Sequence, residues 1–168
     1  MGSSINLTPA TSRLTLSGGT ELSYTTAGRP DGSPALVLLH GFPNSSRGFR
    51  DVIPILARHA HVIAPDLPGF GESEPLEAPS FDAFTDAVLE LLEHLQVGPR
   101  FLYVHDFGAP VALSIAMRQP DDVLGIVIQN ANAHSSGRRP GWAAPAATSK
   151  NASCRPQNIP AAGCLSRE

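Results

Sequence analysis

The sequence predicts an α/β fold, a mainly parallel sheet with flanking helices, from three observations. Ala35-Leu-Val-Leu-Leu39 and Val123-Leu-Gly-Ile-Val-Ile128 are continuous apolar runs of strand length, the pattern of strands buried on both faces. Between them lie segments whose apolar residues recur at helical spacing. Clusters of turn residues separate the two kinds of segment, which is the order of strand–helix alternation.

The elements follow in chain order. Residues 13–17 (Arg-Leu-Thr-Leu-Ser) alternate, Gly18-Gly19 turns, and Glu21-Leu-Ser-Tyr-Thr-Thr26 alternates again; this predicts an antiparallel hairpin at a sheet edge. The run 35–39 ends in His40-Gly41-Phe42-Pro43. A helix is predicted over Ser46–His59, with Phe49, Val52, Ile53 and Leu56 on one face and Pro54 kinking or splitting it. His61–Ala64 is a short strand, followed by the glycine-rich loop Asp66-Leu-Pro-Gly-Phe-Gly-Glu-Ser73. Ser80 is placed to cap a helix striped with Phe81, Phe84, Val88, Leu91, Leu92 and Leu95, which Gly98-Pro99 stops. Phe101–Val104 is the next buried strand. A helix begins near Phe107, with Pro110 in its first turn. The strand 123–128 closes the series.

Composition bounds the function. The chain has 168 residues, 42% of them hydrophobic, and a net charge of −3. That length carries a core, and that charge gives no footing for nucleic acid or an anionic membrane. No apolar run approaches membrane-spanning length, and the first residues have no secretory pattern, so cytoplasmic residence is expected. Cys154 and Cys164 have no histidine cluster beside them, so no metal site is expected. The balance of charge changes along the chain. Up to Ala133 there are 7 Arg against 14 acidic residues; from His134 onward there are 5 basic residues and one acidic. That last segment is dominated by Ala, Pro, Ser, Gly and Arg, a composition that does not offset ordering entropy. Residues 1–133 are expected to form a domain and 134–168 a disordered tail.

The chemistry points to Asp106. A carboxylate at the tip of a buried strand is costly unless something uses it. Asp106 sits at a strand-to-helix turn, beside His105 and before Phe107-Gly108, where a tight turn holds a side chain above the sheet. The alternative is a plain helix N-cap. His40-Gly41-Phe42-Pro43 is a second tight turn at a strand end. Its Phe42 N–H, paired with that of Phe107, would form an oxyanion hole. His40, Asp66 and Asp106 all fall at the carboxyl ends of strands, where ligands gather in such sheets. His40 is expected to order the oxyanion loop and Asp66 to brace its own. His105 is expected to point away from the nucleophile, because neighbouring strand residues face opposite sides. His59, His61 and His94 fall at element boundaries, without metal-ligand spacing.

Three motifs carry a family resemblance: His40-Gly-Phe-Pro43, Asp66-Leu-Pro-Gly-Phe-Gly-Glu-Ser73 and Val104-His-Asp-Phe-Gly108. Together they resemble the α/β-hydrolase fold, in its epoxide hydrolase and haloalkane dehalogenase branch, over about residues 12–133, the N-terminal half of that fold. The resemblance implies Asp106 as nucleophile, Phe42 and Phe107 as backbone oxyanion donors, and Gly41, Pro43 and Gly108 as parts of the two turns. It implies a small hydrophobic substrate and no cofactor. A carboxylate attacks an sp³ carbon and leaves an ester that a His-activated water hydrolyses. Dehalogenases of this branch hold the halide with Trp and Asn side chains, where this chain has Phe107 and Phe42, neither of which donates; epoxide chemistry is therefore favoured over halide chemistry. The family's base His, its acid and its cap tyrosines match no residue here. Tyr24 and Tyr103 fall in strands, Gln129-Asn-Ala-Asn132 holds no acid, and His134 comes too early. The expectation is a truncated, impaired hydrolase, with the reading frame or the natural chain departing from the family near residue 137. A non-catalytic remnant or binding protein is the alternative.

Overall fold

A computed structural model describes residues 7–30 and 34–131. The strands are β1 (Ala10–Thr15), β2 (Glu21–Ala27), β3 (Ala35–Leu39), β4 (Val62–Pro65), β5 (Arg100–His105) and β6 (Val123–Gln129). The helices are α1 (Ile53–Leu56), α2 (Phe81–His94) and α3 (Gly108–Arg118), with a 3₁₀ turn over Ser46–Phe49. The segment from His134 onward, expected as a tail, lies outside the described residues.

The six strands form one sheet in the order β1-β2-β4-β3-β5-β6. β1 and β2 form the expected antiparallel hairpin at its edge, with Leu14 opposite Leu22. β1 ends earlier than predicted, because residues 16–20 are consumed by the turn: Leu16 N–H donates to the Thr20 carbonyl at 2.9 Å and Gly19 N–H to that of Leu16 at 2.8 Å. β3 pairs in parallel with β4 on one side and β5 on the other, and β6 continues the parallel run. The connection from β3 goes one way to β4, and the next returns across β3 to β5. Such a reversal opens a crevice above the strands' carboxyl ends.

Leu102 and Val104 of β5 face a core shared with α2 and α3, which also holds Phe84, Val88, Leu91, Val111 and Ile115. The opposite face of the sheet packs on α1 through Leu38, Ile53, Val62 and Ala64. Both faces of β3 and β4 are therefore dry, as their unbroken apolar runs require. The long helix predicted over 46–59 is divided, as Pro54 foretold. It becomes the 3₁₀ turn and the four-residue α1, with Pro54 in the first turn of α1, where a missing N–H leaves no broken bond. Ser80 caps α2 by accepting the Ala83 N–H at 3.0 Å. Among the described residues no helix is long and apolar enough to cross a membrane.

Arg100 escapes the sequence reading. It is buried at the start of β5, where its guanidinium donates to the Val97 and Gly98 carbonyls at 3.1 Å and to Gln119 Oε1, and sits 3.5 Å from the Asp122 carboxylate. It thereby ties the end of α2, the end of α3 and two strands together. Burial lowers its pKa and Asp122 partly restores it. Phe84, fully buried beneath the crevice, tests the core most directly. Phe84→Ala is expected to cost about 3–5 kcal/mol, read as a lower urea midpoint by circular dichroism; a loss under about 1 kcal/mol would contradict this packing.

Candidate active site

Two tight turns meet over the carboxyl ends of β3 and β5. At the end of β5 the backbone of Asp106 takes a left-handed conformation, φ 48°, which is uncommon for a residue with a Cβ and carries strain. The strand stops there and α3 starts two residues later. Phe107, the cap position of α3, makes no side-chain capping bond. Asp106 does not cap either: its Oδ2 accepts the Phe42 N–H at 3.0 Å, across the crevice. The helix-cap alternative gives way to a carboxylate held by the neighbouring loop.

Glycines make the approach possible. A Cβ on Gly41 would lie 2.6 Å from Asp106 Cβ and 3.1 Å from Asp106 Oδ2. A Cβ on Gly108 would lie 2.5 Å from the Leu39 carbonyl oxygen, so a side chain there would push α3 off β3. Gly41 borders His105 as well: Nδ1 lies 2.7 Å from where that Cβ would be, so His105 and Asp106 share this glycine as a neighbour. Pro43 follows Phe42 through a cis peptide bond and is exposed.

His40, only 1% exposed, joins the turn after β3 to the glycine loop. Its Nε2 accepts the Leu67 N–H at 2.9 Å, so Nδ1 carries the proton and donates to the Gly41 carbonyl at 2.9 Å. Burial pushes its pKa below 6.5; the Gly41 bond and the charge of Asp66 pull it back up, and His105 lowers it. Asp66 braces more than its own loop. Its carboxylate accepts the Ser46 N–H at 2.7 Å and the Glu72 N–H at 2.9 Å, and its carbonyl accepts the Ser73 hydroxyl at 2.7 Å. The Gly71 Cβ position would fall 2.1 Å from that carboxylate. The glycine loop and the loop after Pro43 are fastened by one buried side chain.

Around the carboxylate stand aromatic rings. Phe107 lies 5.3 Å from Phe81, 5.5 Å from Phe42 and 6.4 Å from Phe70, centroid to centroid, and Phe70 is 5.6 Å from the His40 ring. The Phe42–Phe107 pair is tilted and the others are edge-to-face; edge-to-face pairs add about 0.5–1.5 kcal/mol each beyond their buried area. The motifs exposed Phe42 and Phe107 in the sequence. Phe70 and Phe81 were hidden as a loop residue and a core stripe, because only folding brings residue 70 and residue 81 against residue 107. Tyr24 and Tyr103 stand in β2 and β5, as expected. A groove of about 760 Å³ lined by Glu90, Glu93, Arg100 and Asp122 lies at the start of β5, the opposite end from Asp106.

This fold agrees with the comparisons to known proteins. The family model of the alpha/beta hydrolase fold matches residues 34–145, and the chain belongs to that family. It is 44% identical over 121 residues to an uncharacterized hydrolase of Saccharomyces cerevisiae, covering 71% of this chain and 41% of that protein. A soluble epoxide hydrolase of Corynebacterium sp. is 45% identical over 106 residues, covering 61% of this chain and 35% of that protein. The crystal structure of haloalkane dehalogenase DbeA from Bradyrhizobium elkani superposes with a TM-score of 0.68 at 31% identity, covering 74% of this chain and 42% of that one. The chain thus spans between 35% and 42% of the length of these relatives. The family match runs past Ala133, where the composition changes.

Two outcomes are expected of this geometry. Gly41→Ala should destabilise the fold by about 1–3 kcal/mol, measured by urea unfolding, since Asp106 or the turn after β3 must shift. Because the folded His40 resists protonation, its contribution to stability is full above pH 6.5 and is lost as pH falls below it. The urea midpoint should drop between pH 7.5 and 5.5, about a unit either side of that value. His40→Gln, which keeps an acceptor for Leu67, should flatten the drop; an unchanged slope would refute the assignment.

Proposed function

We propose that this chain carries the nucleophile half of a hydrolase acting on an electrophilic sp³ carbon, an epoxide first of all, with Asp106 forming a covalent ester. The observation that carries the reading is the left-handed Asp106 whose Oδ2 accepts the Phe42 N–H. With Oδ2 held, Oδ1 is the oxygen that attacks. The C–O bond of the epoxide breaks as the new C–O bond to Oδ1 forms, and the alkoxide takes a proton from an acid. Oδ2 is then the carbonyl oxygen of the ester. When water adds to that carbonyl, the negative charge develops on the atom already bonded to Phe42 N–H, with the Phe107 N–H as second donor, and the transition state is stabilised where it forms. His40, Gly41, Pro43 and Gly108 set the two turns that hold these donors.

The aromatic surroundings favour an apolar substrate. Phe42 and Phe107 offer no side-chain donor for a halide, and the Corynebacterium epoxide hydrolase is among the more similar relatives at 45% identity. Epoxide opening is the first reading on those two grounds. A haloalkane dehalogenase-like reaction is the second, supported by the likeness to DbeA. Both need a base for the water and, for the epoxide, an acid for the alkoxide. Neither follows from Tyr24 or Tyr103, which lie within strands, so ester formation is the step assigned to residues 34–131. A non-catalytic role is the remaining alternative. Cytoplasmic residence belongs to the same proposal.

Incubating the full chain with styrene oxide in ¹⁸O water, then analysing it by mass spectrometry, tests this. The expected result is an adduct of one substrate mass on the peptide containing Asp106. Asp106→Asn, which keeps an acceptor for Phe42, should lower its formation at least about a thousandfold. Bromide release from 1-bromobutane without an epoxide adduct would favour the second reading. No adduct with either probe would leave the non-catalytic alternative standing and reject the proposal.

A further inference from the structure

A single peptide group stands between His40 and Asp106. The Gly41 carbonyl and the Phe42 N–H are its two ends. The carbonyl accepts from His40 Nδ1 at 2.9 Å, and the N–H donates to Asp106 Oδ2 at 3.0 Å. A peptide is rigid and planar, so turning one end turns the other. The second ring nitrogen, Nε2, accepts the Leu67 N–H at 2.9 Å. The carbonyl also accepts the Asn44 N–H at 2.9 Å. That bond lies within the turn and travels with it. The His40 ring is the partner that is anchored outside the turn.

We propose that His40 is the positioning residue of Asp106 and an acid-operated switch on it: the neutral ring holds the Gly41–Phe42 peptide towards the carboxylate, and the protonated ring releases it. The consequence for catalysis rests on the reading of Asp106 as nucleophile; the switch itself does not.

The geometry decides which bond gives way. A proton on Nε2 faces the Leu67 N–H, donor against donor. One side must withdraw, and Leu67 is the better fixed. It is fully buried. Before it, the Asp66 N–H donates to the Ser23 carbonyl at 2.9 Å, and the Asp66 carboxylate accepts from Ser46 at 2.7 Å and Glu72 at 2.9 Å. After it, the Phe70 N–H closes on the Leu67 carbonyl at 2.9 Å. The ring has the Gly41 bond and an edge contact with Phe70. The ring therefore turns, its bond to Gly41 is lost, and Phe42 N–H leaves Oδ2.

Burial opposes the charged ring most. The Gly41 bond and Asp66, at the end of β4, favour it, and His105, at the end of β5, opposes it. The glycine loop faces the ring with Leu67 and Phe70, and Asp106 stands at the far end of the peptide. The switch accordingly lies below pH 6.5: the site is held above that value and released as pH falls through the lowered midpoint.

NMR on the ¹⁵N-labelled full chain, from about pH 8 to about pH 5, tests this without any substrate. The Phe42 amide signal is expected to move with the midpoint of the His40 ring nitrogens, while that of Ala83, at the start of α2, stays still. Two variants separate the arms of the ring. His40→Asn keeps a donor for Gly41 and should keep the Phe42 signal close to its pH 8 position throughout. His40→Gln keeps an acceptor for Leu67 but not the Gly41 bond, and should displace the signal at every pH. Circular dichroism checks that both are folded. One unit below the midpoint about one ring in ten is neutral, so adduct formation on Asp106 from styrene oxide should be about tenfold slower there. A Phe42 signal that ignores the His40 titration overturns the proposal. So do a titration that disappears in His105→Gln, identical behaviour of the Asn and Gln variants, and adduct formation that keeps its rate through the midpoint. Absence of an adduct at every pH faults the reading of Asp106 and not the switch, which the Phe42 signal decides by itself.

Discussion

The hydrogen bond from Phe42 N–H to Asp106 Oδ2 is the constraint on which the site depends. It joins two turns 64 residues apart in sequence and fixes the carboxylate above the sheet. A left-handed aspartate has a conformational cost of order 1–3 kcal/mol. That cost is met only because the surroundings leave the carboxylate one good place. Gly41 admits it, Gly108 lets α3 approach β3 and begin directly behind it, and His40 holds the Gly41 carbonyl from below. Each is a small feature. Removing any one would let the backbone at residue 106 relax towards an ordinary strand or helix conformation.

The sheet makes that bond possible by its order of strands. β3 and β5 are neighbours although β4 and α2 lie between them in sequence. The turns that follow β3 and β5 therefore share one crevice. Asp66, at the end of β4, reaches the same region and fastens the loops through Ser46 and Glu72. Phe42, Phe70, Phe81 and Phe107 come from four different segments and gather around the carboxylate.

Much of the architecture was legible because it rests on local rules. Unbroken apolar runs gave β3, β5 and β6, helical periodicity and Ser80 gave α2, and Pro54 marked where the helix before β4 divides. Asp106 and Phe42 stood out because a carboxylate and a His-Gly turn at strand ends have few bland explanations. What escaped was of a different kind. The pleat rule fixes the direction of the His105 Cβ and not where its ring ends, which is beside Gly41. Arg100 carried no signal in the sequence. It is buried because four acceptors, the Val97 and Gly98 carbonyls, Gln119 and Asp122, converge on it, and no local pattern announces such a convergence.

By itself the sequence determined which segments become strands and helices, that the sheet is mainly parallel, and that a carboxylate and two tight turns stand at its carboxyl end. These follow from periodicity, turn chemistry and the cost of burying charge, all of which act over a few residues. Only the tertiary structure decided that the carboxylate turns to Phe42 instead of capping α3, and that the ring of His105 borders the same glycine. Those depend on which segments become neighbours. Contacts between residues distant along the chain are settled by packing the whole sheet, which no short window of sequence contains.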